Sequence, residues 1–172
     1  HIVGDGGGGT FRSTGVWIEL GAKIEGTGSA DVEIEGAGRG TGGSARGVVV
    51  KDNDSEVRVA NGTLDITGIG STTGTSGGND GIWIASNGLV GSSGGKITLD
   101  GTANGTGNQN VGVVLGTGGK VTATNTAEIE ITGRGSTAGG NHNFGFFLTD
   151  ANTAVTGQIG AISITGTGGG NG

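Results

Sequence analysis

One short phrase returns five times along the chain, and this repeat constrains the fold more than any other feature. Each copy is a glycine followed by a run of mostly aliphatic residues, as in "GVWIEL" (Gly15 to Leu20) and "GIWIAS" (Gly81 to Ser86). The anchor glycines are Gly15, Gly47, Gly81, Gly112 and Gly145. Successive anchors are therefore 32, 34, 31 and 33 residues apart. A period of this length indicates a solenoid, a propeller or another array of repeats.

Two further series of apolar residues keep step with the anchors. One lies near the end of each unit, in segments such as "LDITG" and "IEITG", and consists of Ile34, Ile66, Leu99, Ile131 and Ile164. The other consists of Ile24, Val57, Val90, Val121 and Val155. Each unit thus contains three short segments in which apolar residues alternate with other residues. This alternation is the period of a β-strand.

The pattern predicts an all-β fold, a single-stranded parallel β-helix (β-solenoid). No segment has the spacing of a long amphipathic helix, and a propeller blade needs about 40 residues or more. Three strands and three turns fit one coil of about 33 residues, which gives about five coils stacked about 4.8 Å apart. We expect residues 1–172 to form one β-solenoid segment. We interpret this segment as a fragment of a longer repeat fibre, because the chain opens in the middle of a repeat.

Composition removes several other classes of protein. The chain has 45 Gly but no Pro, and Gly does not recur at every third position, so a collagen helix is excluded. The clustered aliphatic residues are not typical of a disordered linker. The absence of Cys excludes disulfides and thiolate metal sites. A net charge of −6 argues against nucleic-acid binding, and no apolar run is long enough to span a membrane.

The middle residue of the repeated phrase is the first candidate for a functional position. If Val16 and Ile18 point inward, strand alternation turns Trp17 outward. The equivalent positions predict an exposed apolar stripe for lateral packing or for stacking on glycan rings: Trp17, Val49, Trp83, Val114 and Phe147. Soluble monomers rarely expose such a patch. Lateral packing is favoured because valines separate the two tryptophans, and a cover made by the chain's own long turns is an open alternative.

An asparagine precedes the anchor glycine by two residues in three of the five units. These residues are Asn79, Asn110 and Asn143. Stacked at equivalent positions, they are predicted to form a structural ladder whose side-chain amides hydrogen-bond from coil to coil. Alternatively, asparagine is used here because it tolerates left-handed turn geometry. Both interpretations are open on the sequence alone.

Carboxylates recur at outward positions of the third strand, but their arrangement does not predict catalysis. Glu33, Asp65 and Glu130 fall in one column, and Glu35 and Asp100 fall in the next. Hydroxyl residues separate them, which suits a solvated face because stacked carboxylates would repel each other. Enzymes with this architecture usually interrupt the repeat with long loops that build a cleft, and no such loop is evident. The sequence therefore predicts no catalytic residues and no enzyme activity.

Metal binding is not expected either. The segment "KDNDSE" (Lys51 to Glu56) has several oxygen ligands of the kind that Ca²⁺ prefers, but it occurs in one unit only. A turn held by Asx hydrogen bonds explains it better. His1 and His142 have no partner at the spacing of metal ligands. We therefore expect no metal site and no cofactor.

The repeat units resemble a known group of proteins. Units of the form "ITG-x-GS-x-TG", followed by an asparagine and a glycine-anchored apolar strand, are similar to the β-strand repeats of very large secreted bacterial surface proteins. These are the filamentous-haemagglutinin-like adhesins and related giant β-helix fibre proteins. The resemblance covers essentially the whole chain. It implies a parallel β-helix that acts as stalk and binding surface together, and it transfers no site residues.

These observations predict a structural or adhesive segment of a secreted bacterial surface fibre or filament. Its location would be extracellular or at the cell surface. Its partners would be other copies or coils of the same fibre, joined end to end or laterally, and surface glycans. A carbohydrate-binding or polysaccharide-degrading β-helix is the alternative.

Overall fold

The computed structural model describes residues 1–170, which form sixteen β-strands and no helix. Consecutive strands visit three parallel sheets in turn, so neighbouring strands within a sheet are about one repeat apart. This is a parallel β-solenoid of about five coils, as the sequence predicts. Nothing helical in the described residues reaches the length of a membrane span. Residues 171 and 172, which the sequence also assigns to the solenoid segment, lie outside the described range.

Sheet A has six strands, and sheets B and C have five each. The strands of sheet A are β1 (Ile2–Asp5), β4 (Val32–Ala37), β7 (Leu64–Ile69), β10 (Ile97–Thr102), β13 (Ile129–Arg134) and β16 (Ile162–Thr167). Those of sheet B are β2 (Val16–Ile18), β5 (Val48–Lys51), β8 (Ile82–Ala85), β11 (Val113–Leu115) and β14 (Phe146–Leu148). Those of sheet C are β3 (Lys23–Gly26), β6 (Glu56–Val59), β9 (Leu89–Ser92), β12 (Lys120–Ala123) and β15 (Ala154–Gly157).

The register of all three sheets confirms the predicted columns. Pairs of equivalent residues lie directly opposite each other, as in Ile34 with Ile66, Val16 with Val48, and Ile24 with Val57. Strand β1 adds one more rung to sheet A, with Ile2 opposite Ile34. Because every strand keeps this register, a residue type that recurs in the sequence becomes a continuous column in space.

The interior is a continuous stack of aliphatic side chains from all three sheets. Its fully buried members include Ile34, Val48, Val57, Leu64, Ile82, Ile84, Leu99, Leu115 and Ile131. β-Branched residues and leucine suit the closely stacked pleats of a sheet. Burial of each such side chain contributes about 1.5–3 kcal/mol to stability. The contribution recurs from coil to coil until the last one, where Ile162 and Ile164 are 44% and 42% exposed. The solenoid is therefore stabilised along its whole interior rather than at one centre.

Two columns of glycine let sheets A and B meet at a tight corner. A Cβ added to Gly68 in β7 would lie 2.2 Å from the carbonyl oxygen of Gly81, the anchor glycine before β8. One coil earlier, a Cβ on Gly36 would lie 2.2 Å from the carbonyl oxygen of Gly47. The atoms in the way are backbone atoms that belong to the sheet corner, so they cannot swing aside. A Cβ on the anchor Gly81 would itself lie 2.4 Å from the backbone nitrogen of Thr102, which explains why the repeated phrase begins with glycine.

Candidate functional site

The outward column of sheet B, which the sequence predicts to be an exposed apolar stripe, is covered over most of its length. Val49 and Val114 are buried, and Trp17 and Trp83 are half-buried. Within the column only Phe147 is exposed, with 38% of its surface accessible. The predicted exposure is therefore wrong for Val49 and Val114 and only partial for Trp17 and Trp83: the side chains are on the outer face, but other side chains of the same chain cover them wholly or in part. Lateral packing and glycan stacking stay predictions, and Phe147 is the most exposed position of the column.

Side chains from the long turns between sheets A and B form much of this cover. The guanidinium carbon of Arg46 lies 4.3 Å from the centre of the Trp83 ring. Phe144 stacks on Phe147, with 5.1 Å between ring centres and 18° between ring planes. Val49 lies between the two tryptophans in the strand register, so the large rings flank it. Cation–π and ring-stacking contacts are favourable, and they hold the cover against the sheet.

Arg46 is fixed by a buried ion pair with Asp80 of the next coil. Arg46 Nε donates a hydrogen bond to Asp80 Oδ2 at 2.8 Å, and Asp80 is only 3% exposed. Asp80 Oδ1 accepts the backbone N–H of Val111 at 3.0 Å, one coil further on. Burial raises the pKa of the Asp80 carboxyl, although Arg46 and the Val111 N–H favour the charged form. One carboxylate thus connects three successive coils and holds the guanidinium over Trp83.

A groove of about 440 Å³ opens beside this ion pair on the outside of the solenoid. Val111 and Val114 line its middle, the Arg46–Asp80 pair lines one end, and the two stacked phenylalanines line the other. The two valines belong to the fourth coil. The coils on either side have Asp80 with Trp83, and Phe144 with Phe147, at the equivalent positions. The groove exists because the small residues of one coil lie between larger side chains.

The rim of the groove offers polar groups that are available to a ligand. Arg46 donates through Nε to Asp80, and its two Nη groups have no acceptor among residues 1–170. Gln109 and His142 also line the groove. The His142 ring meets Phe144 edge-on, with 6.0 Å between ring centres. These are hydrogen-bonding side chains beside an apolar surface, which is the usual composition of a small-molecule site.

Two of the rim residues, Gln109 and His142, share one turn position, three residues before the anchor glycine. Every coil has a left-handed backbone at this position, with φ between 54° and 77° at Arg12, Ser44, Gly78, Gln109 and His142. A Cβ on Gly78 would lie 3.2 Å from Arg46 Nη2, so glycine leaves room for the guanidinium there. In the next two coils the position has a side chain, and these are the polar side chains of the rim.

The three asparagines form a ladder in which side chains bond to backbone. Asn110 Oδ1 accepts the N–H of Asn79, and Asn143 Oδ1 accepts the N–H of Asn110, each at 2.9 Å. Asn79 Oδ1 continues the series to the N–H of Ala45 at 3.2 Å. These asparagines do not have left-handed backbone conformation. In each case the residue with positive φ is the one directly before the asparagine. The ladder therefore caps turn amides from coil to coil and does not join one side-chain amide to the next.

The outward carboxylates of sheet A lie along an exposed, charge-paired face. Glu33 lies opposite Asp65 in the register, so the acidic residues form a stripe along the solenoid. Lys96 pairs with Glu130 of the next coil, and Arg134 pairs with Asp100. The side chains of both pairs are close to half exposed. This is the arrangement of a solvated surface.

The segment with potential calcium ligands forms a turn. Asp52 and Asp54 both have left-handed backbone, with φ of 76° and 65°. The structure also brings together three residues that sequence spacing does not connect: His1 Nε2 lies 3.5 Å from Glu35 and 3.9 Å from Glu33. This contact arises because β1 pairs with β4. All three side chains are about half exposed, as is common for acidic groups that hold no ion.

Sequence reasoning missed Arg46, Asp80, Phe144 and the role of His142 on the rim. None of them belongs to the repeated apolar columns, on which the predicted strands depend. A signal was present nevertheless. Arg46, Asp80 and Phe144 each come directly before an anchor glycine, at a position that stacks in register but changes its residue type from coil to coil. Such a position is not needed for the repeat, so its side chains are free to build a site.

Comparisons with protein-family models, with curated protein sequences and with solved structures gave no significant match. The fold class rests on the three sheets and their register. A functional assignment therefore depends on the surface of this solenoid and on the residues of the groove.

Proposed function

We propose that the chain is a structural and adhesive segment of a secreted bacterial surface fibre, located outside the cell. The observation that best supports this is the uninterrupted solenoid, in which each coil over residues 1–170 repeats the same three strands. Repeats of this kind give a rod with a long lateral surface, and five coils extend it by about 24 Å. The resemblance to filamentous-haemagglutinin-like adhesins supports the same function. The partners would be other copies of the fibre and surface glycans.

We further propose that the segment is not an enzyme. A general acid or base needs a carboxyl group within hydrogen-bond reach of the substrate. Asp80, the carboxylate of the groove, is buried and has both oxygens engaged. Glycoside hydrolysis requires two carboxyl groups that face each other across the scissile bond. The carboxylates of sheet A instead lie along one face of the solenoid.

Microscopy combined with a sedimentation assay tests the fibre. We expect the native material to be filamentous in electron micrographs, with bundles if the Phe147 end packs laterally. Phe147→Ser should reduce bundling, whereas Phe11→Ser, which changes an exposed phenylalanine outside the column, should not. Compact, non-filamentous native particles would contradict the proposal. Release of oligosaccharides from a polysaccharide by the purified protein would instead establish the enzyme alternative.

Binding of carbohydrate without turnover is the second candidate function. The groove favours it, because sugar rings have apolar C–H faces that pack on valine and aromatic side chains while their polar groups reach a polar rim. This role is compatible with a fibre, since an adhesive rod needs binding sites on its side.

A further inference from the structure

We infer that the groove between the Arg46–Asp80 pair and the stacked phenylalanines binds a saccharide that has a carboxylate group. The carboxylate would bind the free edge of Arg46, and the sugar ring would lie over Val111 and Val114 towards Phe147. The site itself is argued from the geometry of the groove. The choice of a saccharide rests on the proposed adhesive function.

Arg46 has hydrogen-bond donors that no residue of the described chain uses. A guanidinium has five N–H groups, and only the one on Nε is engaged here, by Asp80 Oδ2 at 2.8 Å. The two Nη groups present a planar fork that matches the two oxygens of a carboxylate. Because Arg46 lines the groove and its Nη groups have no acceptor among residues 1–170, we place the carboxylate of the ligand at this fork. Its side chain is otherwise mostly buried, with 14% exposed.

Arg46 is also held still before any ligand arrives. Asp80 fixes Nε from one side, and the face of Trp83 lies 4.3 Å below the guanidinium carbon. Ordering a long side chain on binding has an entropic cost, and here the side chain is already ordered in the folded state. A fixed guanidinium is therefore a better anion site than the exposed arginines of the surface.

The free hydrogen-bond donors of the groove favour an anion. Among the residues that line it, Asp80 is the one carboxylate, and both of its oxygens are engaged. The remaining polar groups are the Arg46 fork, the Gln109 amide and the His142 ring. Of these three, the Arg46 fork is the cationic group, and the other two offer hydrogen bonds. A ligand with a negative group and several hydroxyls satisfies them.

The rest of the groove fits a ring with an apolar face. Val111 and Val114 give an aliphatic floor, and Phe147 is 38% exposed at the far end. A volume of about 440 Å³ lies within the usual range of ligand sites, about 300–1,000 Å³. The groove is lined by residues of four coils, from Arg46 to Phe147, so a short oligosaccharide would lie along the solenoid axis.

The test is isothermal titration calorimetry with trigalacturonate and with 3′-sialyllactose, two carboxylated sugars from different sources. The methyl esters of the two acids are the matched neutral ligands. We expect at least one acid to bind, and its neutral counterpart to bind at least about tenfold more weakly, as loss of a charge-assisted bidentate contact implies. The acid that binds identifies the source. Failure of both acids to bind, or equal binding of an acid and its neutral counterpart, would overturn the inference.

The site is located with a double variant that keeps the buried pair neutral. Arg46→Gln with Asp80→Asn removes the guanidinium without leaving a buried carboxylate unpaired. We expect at least about a tenfold loss of affinity. The control is Arg39→Gln with Asp5→Asn, because this exposed pair also joins neighbouring coils, with 3.0 Å between Arg39 Nη2 and Asp5 Oδ1. Unchanged affinity in the groove variant, or an equal loss in the control, would rule out the groove.

Phe147→Ala tests the placement of the sugar ring without changing the buried Arg46–Asp80 pair. We expect it to weaken acid binding several-fold, because the ring loses part of its apolar wall, while Phe11→Ala should have no effect. Equal binding by both variants would contradict the placement of the ring. Failure of this inference and failure of the proposed function are separable. Filaments that bind no acidic sugar refute only the inference, and acid binding by non-filamentous material refutes only the fibre.

Discussion

The interior of the solenoid and the outer face of sheet B follow different rules. Inside, almost every stacked position is Val, Ile or Leu in every coil, so any coil resembles its neighbours. Outside, the column before the anchor glycines changes at each step, as Thr14, Arg46, Asp80, Val111 and Phe144. The repetition specifies the fold, because equivalent residues must pack on each other. The departures from it build the groove, because a depression requires neighbouring coils to differ.

The largest loss of stability is expected from a substitution at the glycine corner between sheets A and B. In Gly68→Ala the new Cβ would lie 2.2 Å from the Gly81 carbonyl oxygen. We expect a loss of about 3 kcal/mol or more in the free energy of unfolding, because the backbone of two sheets must separate. Urea denaturation measures it. Gly8→Ala is the control, since a Cβ there has no neighbour within 4 Å, and an equal loss in both would refute the corner.

A cavity in the interior should be nearly as damaging. Leu99 is fully buried between Ile66 and Ile131 in the register of sheet A. We expect Leu99→Ala to lower the free energy of unfolding by about 2–5 kcal/mol, from lost burial and the cavity that remains. Leu20→Ala changes a leucine that is 84% exposed, so its effect should be within about 0.5 kcal/mol. Urea denaturation measures both losses. Equal losses of unfolding free energy in the two variants would contradict the stacked interior.

The contrast between the repeated interior and the variable outer face also explains which features the sequence predicts. The register of Ile34 on Ile66 and the three sheets could be predicted because the apolar residues recur at fixed spacing. The burial of Val49 could not. It depends on neighbouring rings and on turn side chains such as Arg46, which reaches Trp83 more than one coil away along the chain. Alternation determines which way a side chain points, but the cover comes from turns whose path the repeat does not specify.

The asparagine ladder tests the contrast between the interior and the outer face, because its buried side chains lie in the turns between sheets A and B. Asn110→Ala would leave the buried N–H of Asn79 without its acceptor. We expect a loss of about 1–3 kcal/mol, the usual cost of an unsatisfied buried group. Asn108→Ala is the matched control: its Oδ1 accepts the N–H of Asn141 at 2.7 Å, also between coils, but at an exposed site. Water can replace that bond, so equal losses would argue that burial does not matter to the ladder.

The smallest expected effect concerns an ion pair between neighbouring strands of sheet C. Lys23 pairs with Glu56 and holds the pKa of that carboxyl below its ordinary value of 4.5. In the unfolded chain the pKa returns to the ordinary value, so near that pH the unfolded state binds more protons than the folded state. The pair therefore stabilises the fold above about pH 4.5, and its contribution is lost as the pH falls through the lowered pKa of Glu56.

Glu56→Gln isolates this contribution in urea titrations at several pH values. The difference in unfolding free energy between the parent and this variant should be largest near neutral pH and should shrink as the solution is acidified below about pH 4.5. A difference that grew on acidification would mean that Glu56 has the opposite pKa shift. Since the interior has no titrating groups in its stacked columns, whatever pH dependence the solenoid shows must come from its outer positions and turns.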